Sequence, residues 1–260
     1  MSVRFSQVFV GSNLKMYKTI RQTLEYTACL QTLTGDIPRD SLRLFILPSY
    51  TALADACRTV DHSLIWVGAQ NMHWADQGQF TGEISAPMLQ EIGVDLVMAG
   101  HAERRVLFGE TDEMVNRRVL ACLSHGFQVL VCVGETAEDK SYRVSIERLA
   151  QQLKIALHNV RQESLSRVWL AYEPSWAIGE QGIPADPEYI NDVHLELHQV
   201  LEKLFPSHGS RVPVLYGGSV GLNNAANIAQ LPEVDGLFIG RAAWDAKQFN
   251  QIIRSIQAAN

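Results

Sequence analysis

Several absences narrow the class of this chain before any motif is read. Its four cysteines, Cys29, Cys57, Cys122 and Cys132, are scattered and form no C-x-x-C, so neither a disulfide framework nor a zinc knuckle is indicated. Runs of lysine and arginine are missing and the formal net charge is -6, which argues against a nucleic-acid partner or an anionic membrane surface and leaves room only for a local basic pocket. No stretch approaches the ~20 apolar residues of a membrane span, and residues 1–7 carry no long apolar segment of a signal peptide. A cytoplasmic protein is therefore expected. Linkers, low-complexity tracts and breaks in composition are absent as well, so residues 1–260 are expected to form a single domain.

The composition that remains is that of a globular protein with enough apolar residues for a large core, 47% hydrophobic against 19% charged. Short β-branched runs recur with amphipathic stretches between them, at 8–11, 42–47, 64–68, 95–99, 128–133, 168–172, 212–216 and 236–239. The longest helix is expected over 142–160, where Leu149, Leu153 and Leu157 share a face. Eight strands alternating with eight helices predict an α/β chain closed into one (β/α)8 TIM barrel; an open doubly wound sheet is the structural alternative.

The unusual polar residues gather at the C-terminal ends of these strands, the end where barrels carry their chemistry. Glu173 closes the sixth strand and is followed by a Gly-containing loop, the arrangement of a well-aimed base with a lid beside it. Asn13 and Lys15 follow the first strand, placing an ammonium beside an amide where developing negative charge could be stabilised. His101 opens a short helix after the fourth strand, and a helix N-terminus disfavours imidazolium. Gly217-Gly218-Ser219-Val220-Gly221 matches the G-x-S-x-G of serine hydrolases, but that fold needs a histidine after the serine and the last histidine here is His208. Gly218 and Ser219 instead suit a phosphate cradle, shared with Gly240 after the eighth strand. Two metal patterns fail: His101-Ala102-Glu103 has no P-C-x-x-C downstream, and His194 with His198 lacks H-E-x-x-H, so an exposed helix face is expected for that pair.

Asn13 to Lys15, Ala69-Gln70-Asn71, Thr81-Gly82-Glu83-Ile84-Ser85, Gly100 to Arg105, Cys132-Val133-Gly134-Glu135, Ala171 to Gly179 and Tyr216 to Val220 occur in the order found in triosephosphate isomerases, which the chain resembles over nearly its whole length. The resemblance implies an intramolecular oxidoreductase without a cofactor or metal, acting on a small phosphorylated sugar. It implies Glu173 as base, His101 as electrophile and Lys15 as electrostatic binder, with Asn13 positioning the substrate. Gly179, Gly218, Ser219, Gly240 and Arg241 would line the phosphate end, while Glu103 and Cys132 would support the site. It also implies a homodimer, in which the loop at 79–85 enters the neighbouring subunit and Thr81 approaches that subunit's Asn13 and His101.

Three departures bear on the substrate. The family histidine is usually followed by Ser, which holds the resting base, and here by Ala102. The lid reads Gly179-Glu180-Gln181-Gly182-Ile183-Pro184, in which Pro184 stiffens a hinge. Gly240 is followed by Arg241 instead of a second glycine. These departures resemble the branch that interconverts L-erythrulose 1-phosphate and D-erythrulose 4-phosphate in erythritol catabolism, so both that pair and the glycolytic pair, dihydroxyacetone phosphate and glyceraldehyde 3-phosphate, stand as expected substrates. A barrel that only binds a sugar phosphate is the non-catalytic alternative.

Overall fold

A computed structural model describes residues 5–179 and 182–259. Eight parallel strands close a barrel in chain order: β1 Val8–Asn13, β2 Leu42–Leu47, β3 Trp66–Ala69, β4 Leu96–Ala99, β5 Gln128–Val133, β6 Val168–Tyr172, β7 Val214–Tyr216 and β8 Gly236–Ile239. Closure comes from β8 lying parallel to β1, with Phe9 opposite Gly236 and Ser12 opposite Ile239. The open-sheet alternative is thereby excluded, and the fold is a (β/α)8 barrel.

The intervening helices are more numerous than the eight expected. Among the described residues they are α1 Ile20–Thr34, α2 Tyr50–Thr59, α3 Ala86–Glu91, α4 Ala102–Phe108, α5 Asp112–Ser124, α6 Ala137–Ser141, α7 Ser145–Ala156, α8 Pro187–Leu204, α9 Ala225–Ala229 and α10 Ala246–Ala259. Two crossovers, β4 to β5 and β5 to β6, therefore carry two helices each. The helix expected over 142–160 is correspondingly shorter: Arg143 and Asn159 sit at φ 60° and 62°, a left-handed backbone that ends a right-handed helix on either side of α7. None of the helices is long and apolar enough to cross a membrane, among the described residues.

Alternation along the strands sorts side chains into two apolar layers. Outward residues such as Val10, Leu44, Val97, Val131 and Leu170 pack under the helices, and inward residues such as Phe9, Phe45, Leu130, Trp169 and Phe238 fill the barrel. Trp169 is the hub of the interior, 5.0 Å from the Phe9 ring and 5.5 Å from both Phe45 and Trp66. Gly11 makes this filling possible, because a Cβ there would lie 2.2 Å from the Phe45 ring. The interior is a packed core, which leaves the strand ends as the place for a site.

His194 and His198 do not lie on an exposed face. Both are buried, in the i, i+3, i+4 stripe that α8 turns inward with Ile190, Val193, Leu197 and Leu201. His194 packs edge-on to Tyr172, while His198 Nε2 lies 3.1 Å from the Glu233 carbonyl and 3.3 Å from Asp235 Oδ2. Polar residues at apolar positions of a helix are thus accommodated, His198 by the loop before β8 and His194 by a strand-end ring.

Candidate active site

The loops beyond the C-terminal strand ends enclose a cavity of about 410 Å³. Asn13 and Lys15 reach it from β1, His101 from the turn after β4 and Glu173 from the end of β6. Gly179, Gly218, Ser219, Gly240 and Arg241 line it from the loops after β6, β7 and β8. The nearby lid residues Glu180 and Gln181 lie outside the described residues.

His101 is the N-cap of α4, and its Nδ1 accepts the backbone N–H of Glu103 at 3.2 Å. A ring nitrogen that accepts carries no proton, so this bond places the imidazole proton on Nε2. That nitrogen lies 3.4 Å from Glu173 Oε1. The two side chains are both almost wholly buried. Glu173 is fixed from its backbone, with its N–H donating to the Val133 carbonyl at 2.8 Å. Its other oxygen, Oε2, is buried with no hydrogen-bond partner. Gly217 permits this placement, since a Cβ there would come within 2.8 Å of Glu173 Cγ.

Lys15 Nζ is 2.5 Å from Glu103 Oε1. Its backbone adopts φ 50°, a left-handed conformation that a lysine takes only when its surroundings enforce it. Two contacts do so: the Lys15 N–H donates to Asn13 Oδ1 at 2.8 Å, and Gln70 Nε2 donates to the Lys15 carbonyl at 2.9 Å. Glu103 therefore touches both Lys15 and His101, the first with its carboxylate and the second with its amide.

Cys132, at the end of β5, is buried beside Glu173; burial first, and then the adjacent carboxylate, pushes its thiol well above the ordinary range. It is a protonated packing partner and not a nucleophile. Cys132 and Glu173 also border a second cavity of about 310 Å³, with Ala102 in its wall. Thr81 stands apart, exposed on the loop between β3 and α3, and is not brought to either cavity. In that loop Phe80 is exposed, while Ile84 is half-buried against the outer core.

Sequence reasoning missed two features: the anchoring role of Glu135, which it placed only within a segment matching the family near the site, and Trp244. Glu135 is fully buried, and its Oε1 accepts from Tyr172 Oη, Trp176 Nε1 and Tyr189 Oη, each at 2.9 Å. Its backbone carbonyl also accepts from Ser175 N–H at 3.0 Å, so one residue anchors the 3₁₀ turn Ser175–Ala177 from which the lid departs. The other is Trp244, which lines the larger cavity just beyond Arg241. Its only sequence signal is an aromatic N–H donor placed three residues after a phosphate-loop arginine.

A buried carboxylate against an imidazole with its Nε2 proton turned inward, an ammonium beside them and glycine-rich loops completing the rim define a barrel enzyme of proton-transfer chemistry. The family model described as triosephosphate isomerase matches residues 8–256, and the chain belongs to that family. Among its relatives is the L-erythrulose-1-phosphate isomerase of Rhizobium etli, 41% identical over 254 residues, covering 97% of this chain and 93% of the relative. The protein of the same name from Mesorhizobium japonicum is 42% identical, covering 96% and 98%. The triosephosphate isomerase of Aquifex aeolicus is 38% identical over 247 residues, covering 95% and 98%.

Proposed function

We propose that this isomerase interconverts L-erythrulose 1-phosphate and D-erythrulose 4-phosphate through an enediolate. The observation that carries the chemistry is the 3.4 Å approach of Glu173 Oε1 to His101 Nε2 while the Glu103 N–H occupies Nδ1. Glu173 takes the proton from the hydroxyl-bearing carbon next to the carbonyl, and the electron pair flows onto the carbonyl oxygen. His101 Nε2–H and the Lys15 ammonium stabilise that oxygen, with Asn13 holding Lys15 in place. His101 Nε2–H gives its proton to that oxygen and takes the proton of the neighbouring hydroxyl, and Glu173 returns its proton to the former carbonyl carbon, so the carbonyl and hydroxyl have exchanged places. Gly179, Gly218, Ser219 and Gly240 hold the phosphate, with the Arg241 guanidinium at its edge.

The choice of a four-carbon substrate is supported by the relatives named for it, aligned over nearly their whole length. A tetrulose phosphate differs from dihydroxyacetone phosphate by a hydroxymethyl group on the carbon that loses its proton. The room it needs is therefore beside Glu173 and not at the phosphate end, and Glu173 is the residue that both cavities share. The triose pair is the second reading, favoured by the 38% identity to the Aquifex enzyme.

The same reading makes the chain one domain of a cytoplasmic homodimer. Phosphorylated sugars are retained inside cells, and Phe80, Met16, Val106, Leu107 and Phe108 are large apolar residues left exposed, as is Thr81. Parallel steady-state assays test the substrate: kcat/KM for L-erythrulose 1-phosphate should far exceed that for dihydroxyacetone phosphate. A value near ~10⁶ M⁻¹s⁻¹ for dihydroxyacetone phosphate with negligible tetrulose turnover would establish the triose reading instead.

A further inference from the structure

The loop that carries Lys15 and the loop that lines the phosphate end come from β1 and β8, neighbours across the barrel closure. One side chain joins them at the cavity wall. Trp244 leaves the 3₁₀ turn Arg241–Ala243, and its indole N–H donates to the Asn13 carbonyl at 2.9 Å. Its ring lies 4.2 Å from that of Tyr17, two residues beyond Lys15. Behind it, Tyr26 Oη donates to the Ala243 carbonyl at 2.7 Å, tying the same turn to α1.

Asn13 is the residue whose side chain accepts the Lys15 N–H and so maintains the left-handed Lys15 backbone. A shift of the Asn13 peptide plane moves that acceptor, and the ammonium with it. A site that stabilises a developing charge loses rate steeply when its cation is displaced, even by a fraction of an ångström.

We propose that Trp244 is a positioning residue: by holding Asn13 from the β8 loop, it sets the Lys15 ammonium in register with the phosphate grip. This rests on the reading of Lys15 as the cation that faces the enediolate. Trp244 acts through Asn13 on the reacting end of the substrate, so its loss weakens binding of the enediolate form and not of phosphate as such.

Trp244→Phe keeps a ring to lie on Tyr17 and removes only the N–H donor. Two probes separate the ends of the site: inorganic phosphate reports the grip, and a phosphorylated hydroxamate, a planar mimic of the enediolate, reports grip and cation together. In Trp244→Phe, hydroxamate affinity and kcat should each fall about tenfold, as expected for a carbonyl losing its donor, with phosphate affinity and KM nearly unchanged. Tyr17→Leu alters only an exposed ring and should shift hydroxamate affinity the same way by about threefold. Unchanged hydroxamate affinity in both variants overturns the proposal, and so does an equal fall for phosphate and hydroxamate. Lys15→Ala separates the two readings: if it leaves hydroxamate affinity intact, the role of Lys15 fails, whereas loss there without loss in Trp244→Phe removes only the role of Trp244.

Discussion

Arg241 is an exposed residue that lines the cavity and brings a fixed positive charge to the side proposed to hold the phosphate. The phosphate is common to triose and tetrulose substrates and changes little between ground and transition states, so this charge acts as uniform binding. Arg241→Gly should raise KM for both substrates by about tenfold, the loss of one charge-assisted contact, with kcat nearly constant. Parallel Michaelis curves check this; a change confined to the tetrulose would instead make Arg241 a determinant of chain length. That Glu173, His101 and Lys15 would face one cavity was legible in the sequence, because each falls within two residues of a strand's C-terminal end. The anchoring role of Glu135 was not, since its three donors lie 37, 41 and 54 residues downstream and only the closed barrel assembles them.

The proposed lid departs from the turn Ser175–Ala177, which one residue anchors. Trp176 donates to Glu135 and also lies 3.6 Å beneath the Lys140 ammonium, so the turn that begins the lid is pinned from two sides. Trp176→Phe removes one donor from a buried carboxylate, a loss of about 1–3 kcal/mol in lid order. An enediolate left open to water expels its phosphate, so inorganic phosphate released per turnover should rise while kcat falls. Unaltered phosphate release would detach Trp176 from lid closure. At the opposite end of the barrel, His62 presents Nδ1 to Asp95 Oδ2 at 2.6 Å and Nε2 to the Cys57 carbonyl at 2.8 Å. Two acceptors call for an imidazolium. Burial opposes the charge, but the Cys57 carbonyl and the carboxylates of Asp95 and Asp61 outweigh it, and the His62 pKa is raised. Its stabilisation is therefore complete below the unfolded value of ~6.5 and is lost as pH rises through the raised folded value. The gap in melting temperature between wild type and His62→Asn should be widest near pH 6 and narrow toward pH 9; a gap that widens with pH would reverse the assignment.

For the whole molecule, the barrel was readable because parallel strands buried on both faces appear as short β-branched runs, and eight of them leave few topologies. The doubled helices after β4 and β5 were not readable, because the breaks fall at left-handed Arg143 and at the short connection between α4 and α5, which amphipathic spacing does not mark. The proposed assembly rests on exposed apolar surface: Met16 is 93% exposed and Val106, Leu107 and Phe108 about 70%. Light scattering should give twice the 29.0 kDa of one chain, and Phe80→Asp should yield monomers with activity reduced at least about tenfold. A fully active monomer would separate the site from assembly. In the proposed enediolate isomerisation Glu173 carries the proton, and hydrogen exchange in D₂O follows that proton. Wild-type enzyme given L-erythrulose 1-phosphate should form D-erythrulose 4-phosphate with deuterium at the carbon that receives the proton, followed by NMR. Glu173→Gln should slow both conversion and exchange by ~10²–10⁴ while still binding inorganic phosphate. Exchange at the wild-type rate in Glu173→Gln, or conversion by the wild type with no deuterium entering under any condition, would contradict it.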